Sequence, residues 1–194
     1  MKKKLFMSML SIVTVVGLVA CGNNQAEKNQ HDNMNMNSSS NNKMNMNMNM
    51  NHSSSSEVPE GLKEEKNPKY AVGSKVIIHS NHMEGMNGAE ATIVGAYDTT
   101  AYAVSYTPTT GGEVVKNHKW IIHEDIKEAD NKTFQPGTEV TIEAEHMPGM
   151  KGAKAKIDSV EKTTVYMVDY KPTTGGEMVK NHKWVTESEL SPTK

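Results

Sequence analysis

The chain has 194 residues, with 21 lysines and no arginine set against 23 acidic residues, a net charge of −2. Without the bidentate fork of arginine or a basic footprint, a nucleic-acid binder is excluded. A single cysteine among 194 residues excludes an internal disulfide.

In chain order, residues 1–20 read as a secretory signal. Lys2, Lys3 and Lys4 form a basic end, and the apolar run over 5–19 is short for a membrane span. The run closes on Leu18-Val19-Ala20-Cys21, which resembles the lipobox of bacterial lipoproteins. That resemblance implies cleavage before Cys21, lipidation of its sulfur and a protein tied to the outer face of a membrane. Loss of the three lysines leaves 18 basic against 23 acidic residues, a net charge of −5.

Residues 21–69 read as a disordered tether of Asn, Ser, Met and charged residues, without the branched and aromatic side chains needed to offset ordering. A flexible coil of that length spans roughly 40 Å. Its composition is odd for a spacer. Met34, Met36, Met44, Met46, Met48 and Met50 alternate with Asn, between His31 and His52. Exposed methionine is prone to oxidation, and Met with His suits a soft ion, so the array reads as a metal-binding tract. A tolerated low-complexity run is the plainer alternative.

From residue 70 the chain is a tandem duplication at an offset of 64, with repeats over 70–126 and 137–194 and a linker over 127–136. His82-Met83-Glu84-Gly85-Met86 recurs as His146-Met147-Pro148-Gly149-Met150. Pro then Gly between two residues signals a type II turn, which places its flanking methionines at i and i+3. Thioethers are soft ligands that favour Cu(I), so Met83, Met86, Met147 and Met150 are candidate ligands. Methionine also plugs irregular cores, the competing explanation. Short strands enter each turn at Val76-Ile77-Ile78 and Val140-Thr141-Ile142, and the chain leaves it towards Ile93 or Ile157. Tyr102-x-Val104-x-Tyr106 and Tyr166-x-Val168-x-Tyr170 alternate as strands, and Pro-Thr-Thr-Gly-Gly turns lead into strands ending at Trp120 and Trp184. The expected fold is all-β, two tandem small SH3-like barrels, each marginal alone and so candidates for packing together.

Each repeat ends on Asn-His-Lys-Trp, which puts His118 on the side of Trp120 and His182 on the side of Trp184 if the strand is regular. A site of two Met, one His and an indole face over the cation is then conceivable, against the plainer reading of a core Trp beside an edge His. His82 and His146 directly precede the turns and reach the same ion only if the chain bends there. His79 and His123 have Glu143 and Glu187 as counterparts and are left out.

The lipobox, the Met- and His-rich tether and two copies of His-Met-x-Gly-Met, Tyr-x-Val-x-Tyr, Thr-Thr-Gly-Gly-Glu and Asn-His-Lys-Trp together resemble the YdhK/CopL family of Gram-positive surface lipoproteins. The resemblance implies Cu(I) binding outside the cell, in copper resistance beside a copper-exporting ATPase. A second expectation is a wall-binding surface module, with Trp and Tyr stacking on sugars. No nucleophile-base order recurs in both repeats, so an enzyme is not expected.

Overall fold

The chain does not break at the polar run Asp98-Thr99-Thr100: Glu90–Tyr106 forms one strand of 17 residues, and Lys154–Tyr170 does the same in the second repeat. The computed structural model describes residues 53–194. In order they form β1 (Lys63–Glu64), β2 (Lys75–Ile78), β3 (Glu90–Tyr106), β4 (Val115–Ile122), β5 (Glu139–Thr141), β6 (Lys154–Tyr170), β7 (Val179–Thr186) and β8 (Leu190–Pro192). Single 3-10 turns, His123–Asp125 and Glu187–Glu189, follow β4 and β7.

β3 and β6 pair antiparallel from Ala91 opposite Tyr170 to Tyr106 opposite Ala155. Moving either end pair by 64 residues generates the other, and Thr99 opposite Thr163 is its own counterpart. A pseudo-twofold axis therefore passes through the middle of this ribbon. β2 and β4 flank the two ends of β3, with Val76 opposite Ala91 and Val104 opposite His118. β5 and β7 flank β6 in the same way, with Val140 opposite Ala155 and Val168 opposite His182.

The consequence is that neither core belongs to one repeat. The first packs Val76, Ile78, Met86 and Ile93 against Tyr166, Val168, Tyr170 and Val185. The second packs Tyr102, Val104 and Ile121 against Val140, Ile142, Met150 and Ile157. Each takes the opening half of one repeat and the closing half of the other. The all-β class is the one the sequence leads to, but the packed cores do not follow the boundaries 70–126 and 137–194. A unit of about 55 residues buries a small share of its surface and is marginal alone, and the shared ribbon lets each half complete a core with the other's strands. A third cluster, with Trp120, Trp184, Ala101, Ala103 and Met167, covers the middle of the ribbon.

Two expected connectors are also built in. Residues 127–136 fold back, with Lys127 N–H donating to the Thr141 carbonyl at 3.0 Å and Phe134 packed on the second core. The end of the expected tether, 53–69, is part of the fold: β1 pairs with β3, and Val58 and Leu62 pack on the tryptophan cluster. Its start lies along β7, where Ser54 N–H donates to the Lys180 carbonyl at 2.9 Å.

Candidate metal centre

Both Met-x-Gly-Met corners form the expected turns. Met86 N–H reaches the Met83 carbonyl at 3.3 Å, and Met150 N–H the Met147 carbonyl at 3.2 Å. Gly85 and Gly149 have φ of +76° and +75°. They are also clamped. A Cβ on Gly85 would lie 2.9 Å from Pro172 Cβ, and one on Gly149 2.9 Å from Pro108 Cβ. Gly85 and Gly149 carbonyls accept from Thr173 and Thr109 N–H at 2.9 and 2.8 Å. Each Met corner is thus fastened to the Thr-Thr-Gly-Gly turn of the opposite repeat.

The turn separates its two sulfurs. Met86 and Met150 are wholly buried, with relative exposures of 0%, among the aliphatic and tyrosine side chains of the first and second cores. The expectation that the two thioethers of each turn converge is corrected here: the second methionine of each turn is the core plug. The i+3 residue of each corner faces a core cluster. Met83 and Met147 stay half-buried and line a cleft.

That cleft, about 890 Å³, gathers His82, Met83, His118, His146, Met147 and His182. The backbone bends at His82-Met83 and again at His146-Met147, so imidazole and first thioether of each corner face the same space. His118 stands edge-on to Tyr106 at 6.0 Å, and His182 to Tyr170 at 5.7 Å. Among the described residues, no group of three or more His, Cys, Asp or Glu side chains is placed to hold a metal ion by itself.

Each corner histidine faces a carboxylate from the other repeat, and only the first pair is hydrogen-bonded. Glu189 Oε1 lies 2.7 Å from His82 Nε2, while its Oε2 accepts from Trp120 Nε1 at 2.9 Å and Thr186 N–H at 3.0 Å. Its counterpart is Asp125, whose Oδ2 accepts from Ile122 N–H at 3.3 Å and Trp184 Nε1 at 3.4 Å. Asp125 Oδ2 stops 3.8 Å from His146 Nε2, outside hydrogen-bond range. The other ring nitrogens, His82 Nδ1 and His146 Nδ1, are buried without a hydrogen-bond partner.

The electrostatics keep two imidazoles neutral. Burial, with the nearby charge of His82 second, pushes His118 down to about 4. Burial, then His118 and Lys183, pushes His146 down to about 3. Burial raises Asp125 to about 6 against its Ile122 and Trp184 hydrogen bonds and the charge of Lys183. For Glu189 burial also pushes upward, but the bond to and charge of His82, helped by Thr186 and Trp120, win and lower it. Thioethers and imidazoles are the donors a soft cation takes; in this cleft they stand among the carboxylates of Glu84, Asp125, Glu143 and Glu145 and the ammonium groups of Lys119 and Lys183.

The tryptophans work differently from the expectation of an indole face over a cation. Both peptide bonds leading into them, Lys119–Trp120 and Lys183–Trp184, are cis, and Asn117 and Asn181 sit at positive φ, so the strand is not regular there. Lys119 Nζ already lies over the Trp120 ring at 4.8 Å, and Trp184 packs edge-on against Tyr97 at 5.6 Å. Their indole N–H groups serve the carboxylates instead.

The match to known proteins is close. The family model described as "Protein of unknown function (DUF1541)" matches residues 72–123 and 136–187. The chain belongs to the DUF1541 family. It is 62% identical over 184 residues to YdhK of Bacillus subtilis (strain 168), an uncharacterized protein, covering 94% of this chain and 85% of that one. The crystal structure of that DUF1541 protein matches with a TM-score of 0.72 at 69% identity, over 75% of this chain and 99% of that one. The solution structure of the YdhK C-terminal domain matches with a TM-score of 0.60 at 70% identity, over 63% of this chain and 92% of that one. The kinship with YdhK read from the motif string is thereby met.

Cys21, His31, Met34, Met36, Met44, Met46, Met48, Met50 and His52 lie outside the described residues. Asp125 and Glu189 escaped the sequence reading because the DUF1541 repeats differ there. Both are acidic, both stand five residues after the tryptophan, and they are 64 apart; that shared spacing was the available signal.

Proposed function

We propose that this DUF1541 protein is a lipid-anchored, non-catalytic Cu(I) binder that sequesters copper at the outer membrane face and contributes to copper resistance. The observation that carries the reading is the cleft: neutral imidazoles of His118 and His146 stand beside His82, His182, Met83 and Met147. Soft sulfur and imidazole donors favour Cu(I) over calcium or magnesium. The lipobox at Cys21 and the methionine array of residues 21–52 support placement outside the cell and added capacity for metal. A copper-exporting ATPase is the natural companion, since exported ions need a sink that limits re-entry.

The wall-binding alternative loses its support. Both tryptophans and all six tyrosines are buried, so these rings offer no platform for stacking on sugars.

Anaerobic titration of the full chain with Cu(I) against a chromogenic chelator tests the reading. Replacing Met83 and Met147 by Ser, with His82 and His146 by Ala, is expected to lower the stoichiometry while the tract over 21–52 keeps its share. Unchanged stoichiometry would remove the cleft from the account. Replacing Cys21 by Ser is expected to release the protein from membranes into the medium.

A further inference from the structure

The two corner histidines share an unusual state. Each ring is packed into the cleft wall, with His82 exposing 9% of its side chain and His146 17%. Each points Nε2 at a carboxylate, and each leaves Nδ1 buried with nothing to bond. A buried polar atom without a partner is rare enough to need a reason. Two at pseudo-equivalent positions in one cleft need a shared one.

The hydrogen-bond pattern around Glu189 fixes where the His82 proton sits. Glu189 Oε2 accepts from an indole N–H and a backbone N–H, so the group is acting as an ionised, acceptor-only carboxylate. Its Oε1 at 2.7 Å must then receive a proton from His82 Nε2. In its neutral form the ring carries that one proton on Nε2, and Nδ1 of His82 then presents a bare lone pair. Asp125 faces His146 from the first repeat, but the Oδ2 that faces it is the oxygen already accepting from Ile122 N–H and Trp184 Nε1, and it lies 3.8 Å from His146 Nε2 without bonding it. Metal-binding histidines characteristically use one nitrogen for the ion and the other for a carboxylate that orients the ring and raises its basicity.

We infer that Nδ1 of His82 and Nδ1 of His146 are the donor atoms these histidines offer to a soft monovalent ion, and that Glu189 and Asp125 are the positioning residues that aim them. The inference rests on the copper reading above and deepens it. Because His82 and Trp120 come from the first repeat and Glu189 from the second, with the reverse for His146, Trp184 and Asp125, neither half-site exists without both repeats. The first half is pre-set by a formed hydrogen bond. The second is not pre-set, since 3.8 Å separates Asp125 Oδ2 from His146 Nε2.

Long-range proton–nitrogen NMR of the full chain with labelled histidine, using Ag(I) as the probe, tests this. In the metal-free chain His82 is expected to show a protonated Nε2 and a bare Nδ1. Addition of Ag(I) is expected to shift Nδ1 of His82 and His146 with splitting by the silver nucleus, and to leave His79 unchanged. Glu189→Gln is expected to redistribute the His82 tautomers and weaken Ag(I) binding about 10- to 100-fold. Asp125→Asn provides an independent variant should Glu189→Gln unfold the chain. A protonated Nδ1 on metal-free His82, or silver splitting on Nε2, overturns the inference and leaves the copper reading standing. No silver uptake by the cleft overturns both.

Discussion

The two halves of the cleft are copies, yet they are not equally finished. In the first, Glu189 closes a 2.7 Å hydrogen bond to His82; in the second, Asp125 is one methylene shorter and halts 3.8 Å from His146. The carboxylates diverge accordingly, Glu189 lowered by His82 and Asp125 raised by burial to about 6. The turns differ in the opposite sense, since the second has Pro148 where the first has Glu84. One half therefore has the better-held ring and the other the stiffer corner. Duplication supplied two identical frames, and small changes have given them different degrees of pre-organisation.

The largest effect that tests this comparison concerns the sulfurs the two halves treat alike. Met86→Ala and Met150→Ala are expected to cost about 2–5 kcal/mol each as core truncations, read by urea unfolding. Met86→Leu and Met150→Leu should cost less than about 1.5 kcal/mol and leave Cu(I) stoichiometry intact, whereas the same change at Met83 or Met147 should reduce it. Loss of copper on Met86→Leu would return the buried sulfurs to the site.

Next comes acid sensitivity. Between about pH 6.5 and 4 the unfolded chain protonates His118 and His146 while the folded chain does not, so stability falls as pH falls through that window. Asp125 works the other way: the folded chain takes up its proton near pH 6 and the unfolded chain near 3.8, which adds stability as pH falls. Urea midpoints at several pH values should therefore decline from neutral to pH 4, and more steeply in Asp125→Asn. A flat profile would mean the two imidazoles are not buried neutral.

A smaller effect separates the carboxylates. Asp125→Glu supplies the missing methylene and is expected to tighten Ag(I) at the His146 half by a few-fold, within the range open to such outer-shell groups; competition with a chromogenic chelator reads it. The smallest concerns the turns. Glu84→Pro should stabilise the first corner by about 0.4–1 kcal/mol by restricting the unfolded chain, because Glu84 is exposed and occupies the position Pro148 fills in the copy. Destabilisation would show that the two corners have different backbones.

Local features were legible in the sequence because local interactions decide them. The duplication, the glycine at each Met corner, the strands and the all-β class follow from residue identity, turn chemistry and alternation over a few positions. The partners across space were not. That β3 lies against β6 as well as against β2 and β4 of its own repeat, that Met86 turns inward while Met83 does not, and that Glu189 reaches the His82 ring 107 residues away are long-range matters. Period-two patterning says which face of a strand is buried and nothing about which strand lies beside it. The cleft exists because two incomplete repeats bury their apolar faces together, and only that shared burial brings the histidines of one into reach of the carboxylates of the other.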